Sequence, residues 1–234
     1  MTAPLFLAFC LAWFMILATV LRGALPRRAA SLALGGLAAW VLYSAFLAYG
    51  GSLISDNPPP RVLLIGIPLA GFFVWMSRGA GPRILAERIS LRTLTGLQSF
   101  RVLVEIFLDR LWKEGLLPEG LTWHGHNFDI VTGITAFLLY LGWNRLPNLG
   151  ALTKAWNVMG LLLLAQVAVT GILSAPGPQQ LMNRETPNVA VVSFPYVLVA
   201  SLFVLSAAAL HILSLRKLAM ARPGSLSGRV PPRR

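Results

Sequence analysis

Long apolar runs separated by short polar or basic stretches dominate this chain. They cover residues 4–21, 30–50, 62–77, 91–113, 128–143, 153–173 and 193–213. About 20 apolar residues wound as a helix cross a hydrocarbon core of about 30 Å, so the pattern predicts an all-α fold, a polytopic membrane helix bundle of seven transmembrane helices. The first run lacks the basic segment that opens a cleavable signal peptide, and it is expected to stay as a transmembrane helix. In the second run Gly35, Gly36, Ala38 and Ala39 predict close approach of a neighbouring helix. Residues 51–61 contain Asp56, Asn57 and three prolines, which excludes helix there. The third run is short and carries Gly66, Pro68 and Gly71, so a kink is expected.

The fourth run differs from the others because it is not uniformly apolar. Gln98, Arg101, Glu105 and Asp109 recur at steps of three, four and four, which puts them on one face of a helix, with Thr95 beside them. Leu94, Leu97, Val104, Phe107, Leu108 and Leu111 cover the remainder. Read as one 23-residue helix, about 34 Å long, residues 91–113 would carry Arg101 and Glu105 near the bilayer midplane. A charge there costs about 2.5–3.5 kcal/mol on insertion scales, so such residues face the bundle interior or a wet cavity and pair. Their i, i+4 spacing predicts that Arg101 and Glu105 pair with each other.

Composition agrees with the periodicity. Hydrophobic residues make up 56% of the 234 and charged residues 12%, too apolar for a soluble domain of this size. The net charge of +12 is not a nucleic-acid footprint, since the basic residues lie in short clusters between the apolar runs. They report topology instead. With the N-terminus outside and the C-terminus cytoplasmic, fifteen of the twenty basic residues fall inside: Arg22, Arg27 and Arg28; Arg78, Arg83, Arg88 and Arg92; Arg145 and Lys154; and Arg216, Lys217, Arg222, Arg229, Arg233 and Arg234. Only Arg61, Lys113 and Arg184 fall outside. Laying residues 91–113 flat on the membrane would force the basic tail across it, so crossing is the expectation. The chain is expected to form a single transmembrane domain over residues 1–214, followed by a basic, disordered cytoplasmic tail over 215–234. The expected location is the bacterial cytoplasmic (inner) membrane.

A second group of titratable residues follows the stripe on the outer side. It comprises Glu119, His124, His126, Asn127 and Asp129. His124 and His126 are weak candidate metal ligands, with no Cys or third His nearby, and no metal or other cofactor is expected. Asn127 or Asp129 is expected to start the fifth helix as a cap, with a carboxylate at the positive end of the dipole. That helix repeats Asp129, Thr132, Gly133, Ala136 and Tyr140 on one side, a face fit to pack against the stripe. Asn157 and Gln166 project to opposite sides of the sixth run, so at most one joins a shared polar centre. His211 is expected at the membrane interface.

Several classes are excluded. The single cysteine, Cys10, rules out an intramolecular disulfide. No lysine lies inside the last run to carry a retinal, paired in-span histidines for a b-type haem are missing, and no P-loop is present.

The segments Gln98-Ser-Phe-Arg101-Val-Leu-Val-Glu105, Gly115-Leu-Leu-Pro118-Glu119-Gly-Leu-Thr122 and Gly125-His-Asn127-Phe-Asp129-Ile-Val-Thr-Gly133-Ile-Thr-Ala136 carry a resemblance. Together they resemble a family of bacterial multi-pass membrane proteins of no known activity, with a Gln-x-x-Arg-x-x-x-Glu helix followed by a Gly-x-Asn-x-Asp loop. In that pattern the positions of His124 and His126 are commonly other residues, so the resemblance points to Arg101, Glu105, Asn127 and Asp129. The catalytic residues, if any, are unknown. The expected function is transport of a small solute, ion or proton through the intramembrane cluster, with the lipid bilayer as partner and no nucleic acid. The alternatives are a membrane enzyme or sensor with its site at the outer mouth, and an assembly protein whose buried ion pair is purely structural.

Overall fold

A computed structural model describes residues 2–221, and every regular element among them is helical. Helices α1 (Thr2–Ala24) and α2 (Arg27–Tyr49) form a hairpin whose turn ends at Pro26, a residue that pre-sets the backbone for the start of α2. Helix α3 (Leu63–Arg78) continues past its internal Pro68 and turns by 62° into α4 (Ala80–Arg88) at Gly79. A Cβ on Gly79 would lie 2.7 Å from the Trp75 carbonyl oxygen, so only glycine allows this corner.

Helices α5 (Leu91–Leu97), α6 (Phe100–Lys113), α7 (Asp129–Gly142) and α8 (Leu149–Leu173) follow. A π-helical segment (Val199–Val204) then leads directly into α9 (Leu205–Met220). Four helices are long and apolar enough to cross a membrane: α1, α2, α8 and the continuous Val199–Met220. The bent α3–α4 pair makes a fifth if it counts as one span.

The last helix is the axis of the bundle. Its small residues Ser206, Ala207, Ala208 and Ser214 are all buried, and α3, α4, α5 and α8 pack around it. Outward-facing positions of the other helices carry large apolar side chains, among them Leu32, Phe46 and Leu162. Such a surface suits lipid and not water.

Four expectations are corrected. The striped segment is two helices. Around Gly96-Leu-Gln-Ser99 the ladder tightens to i+3 bonds, from Gln98 N to Thr95 O (3.1 Å), Ser99 N to Gly96 O (3.1 Å) and Arg101 N to Gln98 O (3.2 Å). Residues 79–92, expected as a basic loop, contain α4, which turns Ala86 inward while Arg83 and Glu87 stay in solvent. Gly35 and Gly36 meet no neighbour within 4 Å and lie on an exposed face of α2. The final helix runs on to Met220, because Arg216 and Lys217 are tied back to the carbonyls of Met76 and of Ala86 and Glu87. The expected tail therefore loses its first six residues to α9, and residues 222–234 lie outside those described.

Candidate functional site

The striped face of α6 is buried at the centre of the molecule. Gln98, Arg101, Glu105 and Asp109 are all buried, and Glu105 is only 1% exposed. Their depth follows from Phe100, whose ring packs on Trp13 halfway along α1 at a centroid distance of 4.1 Å. The N-terminal half of α7 approaches closely because Gly133 has no side chain. A Cβ there would meet Val102 N and Cγ2 at 2.8 Å. The same device repeats at Gly96, packed under the Tyr140 ring, and at Gly160, packed under the His211 ring.

Close packing brings charges from α6 and α7 together, though not as the spacing predicts. Arg101 forms its ion pair with Asp129 on α7, and among the described residues it has none with Glu105. Glu105 instead accepts from the Asn127 amide at both oxygens (2.8 and 2.9 Å). The same amide donates to the Leu121 carbonyl (3.0 Å), and Asn127 Oδ1 accepts from Asp129 N (3.0 Å), closing a turn at the start of α7. Asn127 thus holds the Glu105 carboxylate and the backbone at the start of α7. Helix α7 begins at Asp129 with Phe128 at its cap and no side-chain cap bond, so neither Asn127 nor Asp129 caps it as expected, while the Asp129 carboxylate does lie in the first turn.

On the other side, Arg101 Nη1 donates to His211 Nε2 (2.9 Å), and His211 Nδ1 meets Asn157 Oδ1 (2.8 Å). The Asn157 amide nitrogen is committed to Thr153 O (2.7 Å), so Oδ1 must accept from Nδ1–H. This assigns His211 as the neutral Nδ1–H tautomer, with its Nε2 lone pair directed at the guanidinium. Gln98 Nε2 donates to the Ala207 carbonyl (3.0 Å), tying the α5–α6 break to the final helix. Gln98 Oε1, Thr95 Oγ1 and Arg101 Nε find no hydrogen-bond partner among the described residues.

Arg101, Glu105 and Asp129 line a cavity of about 20 Å³, completed by Phe100, Val104, Leu164, Phe203, Val204 and Ala207. Roughly one water fits such a volume. Val204 also borders a larger apolar cavity of about 220 Å³ between α3, α8 and the π-helical segment.

The outer group divides. Asp109 accepts from Lys113 Nζ (2.7 Å) and contacts His124 Nε2 (3.1 Å), while Glu119 and His126 remain in solvent and join neither. Their loop is tightly folded: Thr122 donates to the Glu119 carbonyl (2.8 Å), and a Cβ on Gly125 would strike Gly120 Cα at 2.5 Å. Among the described residues no three His, Cys, Asp or Glu side chains converge as metal ligands.

One member of the centre was not expected there: His211 is fully buried rather than interfacial. Of the two polar residues of α8, Asn157 is the one that joins, Gln166 facing outward. Ala207, His211 and Ser214 form an i, i+4, i+7 stripe of small and polar residues, the signal that marks this face of α9 as internal.

A family model described as "Domain of unknown function (DUF8737)" matches residues 60–219, about two thirds of the chain, and the chain belongs to that family. No curated protein and no solved structure matches it. The matched region contains every residue of the polar centre and leaves out the α1–α2 hairpin.

Proposed function

We propose that this member of the DUF8737 family is a bacterial inner-membrane transporter that moves a small solute, an ion or a proton through the centre formed by Arg101, Glu105 and Asp129. One observation carries the reading: a broken helix and a π-helical segment meet at a charged, water-sized cavity. The α5–α6 break at Gln98-Ser99 and the π-helical stretch before α9 touch there, with Phe100 against Phe203 and Gln98 bonded to Ala207. Transporters build substrate and coupling-ion sites from discontinuous helices near the midplane, and π-segments recur at functional sites. A purely structural ion pair would need no second carboxylate, whereas Glu105 is buried beside the Arg101–Asp129 pair with no cation of its own among the described residues.

The topology we propose is seven crossings with the N-terminus outside and the C-terminus cytoplasmic, α5 and α6 crossing as one broken span. Contacts between segment ends support it. At one end Thr2 donates to Glu114, Tyr49 packs on Phe194 and Ala190 N donates to Leu116 O. At the other end Arg88 donates to Ala24 O, Arg92 lies over the Tyr140 ring, and Arg216 and Lys217 bind the ends of α3 and α4. The basic residues gather at this second end, as the positive-inside rule requires of a cytoplasmic face.

The mouth-centred alternative has less support, because Glu119 and His126 do not converge with His124. The test is ion and solute flux in vesicles containing the purified protein. Flux that Glu105→Gln abolishes without loss of folding supports transport, and undiminished flux in that variant rejects it.

A further inference from the structure

We infer that the species bound at this centre is a proton, taken up by Glu105 through the cavity it shares with Arg101 and Asp129. The inference rests on the transport reading above and names its cargo.

Charge comes first. Among the described residues, the ionisable groups facing the cavity or one contact away are Arg101 and Glu105 from α6, Asp129 from α7 and His211 from α9, while α8 contributes the neutral Asn157. Arg101 and Asp129 cancel, and His211 is held neutral by its hydrogen bonds. One turn outward, Asp109 is matched by Lys113 and touches His124. Among the described residues Glu105 is left as one negative charge without a counter-ion, in a site where only amide hydrogen bonds reach it. An unpaired buried carboxylate costs several kcal/mol, and binding one cation removes that cost.

Coordination chemistry then selects the cation. Mg²⁺ takes about six oxygen ligands and Ca²⁺ about six to eight. The cavity presents two carboxylates, a guanidinium and six apolar side chains. Carbonyls released by a broken helix often complete such a site. Six carbonyls at the break and on the facing helix already accept one bond each: Thr95, Gly96, Gln98 and Ser99 oxygens accept i+3 bonds, Ala207 O accepts from Gln98, and Ser201 O accepts from Trp40. The cavity also has room for about one water, leaving none for a hydrated metal ion. A proton needs only one lone pair. Asn127 reaches both oxygens of Glu105 from a single amide nitrogen, so each keeps a lone pair free. In the loading step a hydronium entering the cavity gives its proton to a Glu105 Oε, forming one O–H bond and leaving neutral water. Release reverses the step.

The experiment is infrared spectroscopy of the purified protein in lipid with carboxyl-¹³C glutamate. The other glutamates, Glu87, Glu114, Glu119 and Glu185, are exposed to solvent, so a labelled protonated-carboxyl band at neutral pH that a folded Glu105→Gln protein lacks is assigned to Glu105. The expected result is such a band, lost reversibly at alkaline pH, identical in sodium, potassium and choline buffers, and missing from a folded Glu105→Gln protein. Absence of the band at neutral pH, or its removal by sodium or potassium, overturns the inference. The transport reading is judged separately by flux: a flux that needs Glu105 while the band is displaced by a metal cation leaves transport standing and makes that cation the cargo.

Discussion

Arg101 and Glu105 stand one turn apart on the same face of α6 and direct their charges to different partners. Arg101 pairs with Asp129 across the α6–α7 contact, and Glu105 takes the amide of Asn127. The separation makes the centre two linked units, one balanced and one carrying a surplus negative charge.

The balanced unit governs stability. Replacing Arg101 by Ala strands Asp129 and should cost about 3–5 kcal/mol, whereas Arg101→Met with Asp129→Leu removes both charges and should recover most of that. Thermal unfolding in detergent compares the two variants. Equal destabilisation would argue that the pair is not buried as a unit.

The glycines differ sharply in consequence. Gly133→Ala drives a methyl into the Val102 backbone and should destabilise by about 1–3 kcal/mol, while Gly35→Ala adds a methyl in open space and should be neutral or slightly stabilising. Melting temperatures of the two variants test this, and a harmless Gly133→Ala would refute the close α6–α7 contact.

Nitrogen NMR of labelled protein should find His211 as the neutral Nδ1–H tautomer. Asn157→Leu, which removes the acceptor of that proton, should destabilise by about 1–3 kcal/mol by leaving the donor unsatisfied. A protonated His211 at neutral pH would contradict the assignment.

Topology is open to chemical labelling. In a Cys10→Ser background, Glu119→Cys should react with an impermeant thiol reagent applied to the outer face, and Arg145→Cys only after the membrane is opened. The reverse pattern would invert the proposed orientation.

The sequence made much of this legible, within limits that have physical causes. Periodicity of four polar residues located the centre, because a helix repeat survives a local 3₁₀ tightening. The break itself was hidden: Gly96 and Ser99 weaken a helix only slightly, and what interrupts this one is Gln98 reaching Ala207, more than a hundred residues away. Spacing also favoured an Arg101–Glu105 pair, since i, i+4 neighbours are the only partners a one-dimensional reading can see. Asp129 wins because Gly133 lets α7 approach. The depth of His211 escapes the sequence for a related reason. Its depth is set by Gly160, whose missing side chain makes room for the ring. The basic stretch 79–92 read as a loop because its charges lack membrane character, yet α4 needs only Pro82 and Ala86 buried to lie against α9.

The most direct test of the central claim is proton movement in vesicles holding a pH-sensitive dye and the purified protein, with an imposed pH gradient. The account predicts protein-dependent proton flux that Glu105→Gln abolishes while the variant's thermal unfolding stays close to that of the parent protein. Proton flux that survives in a folded Glu105→Gln protein would contradict it.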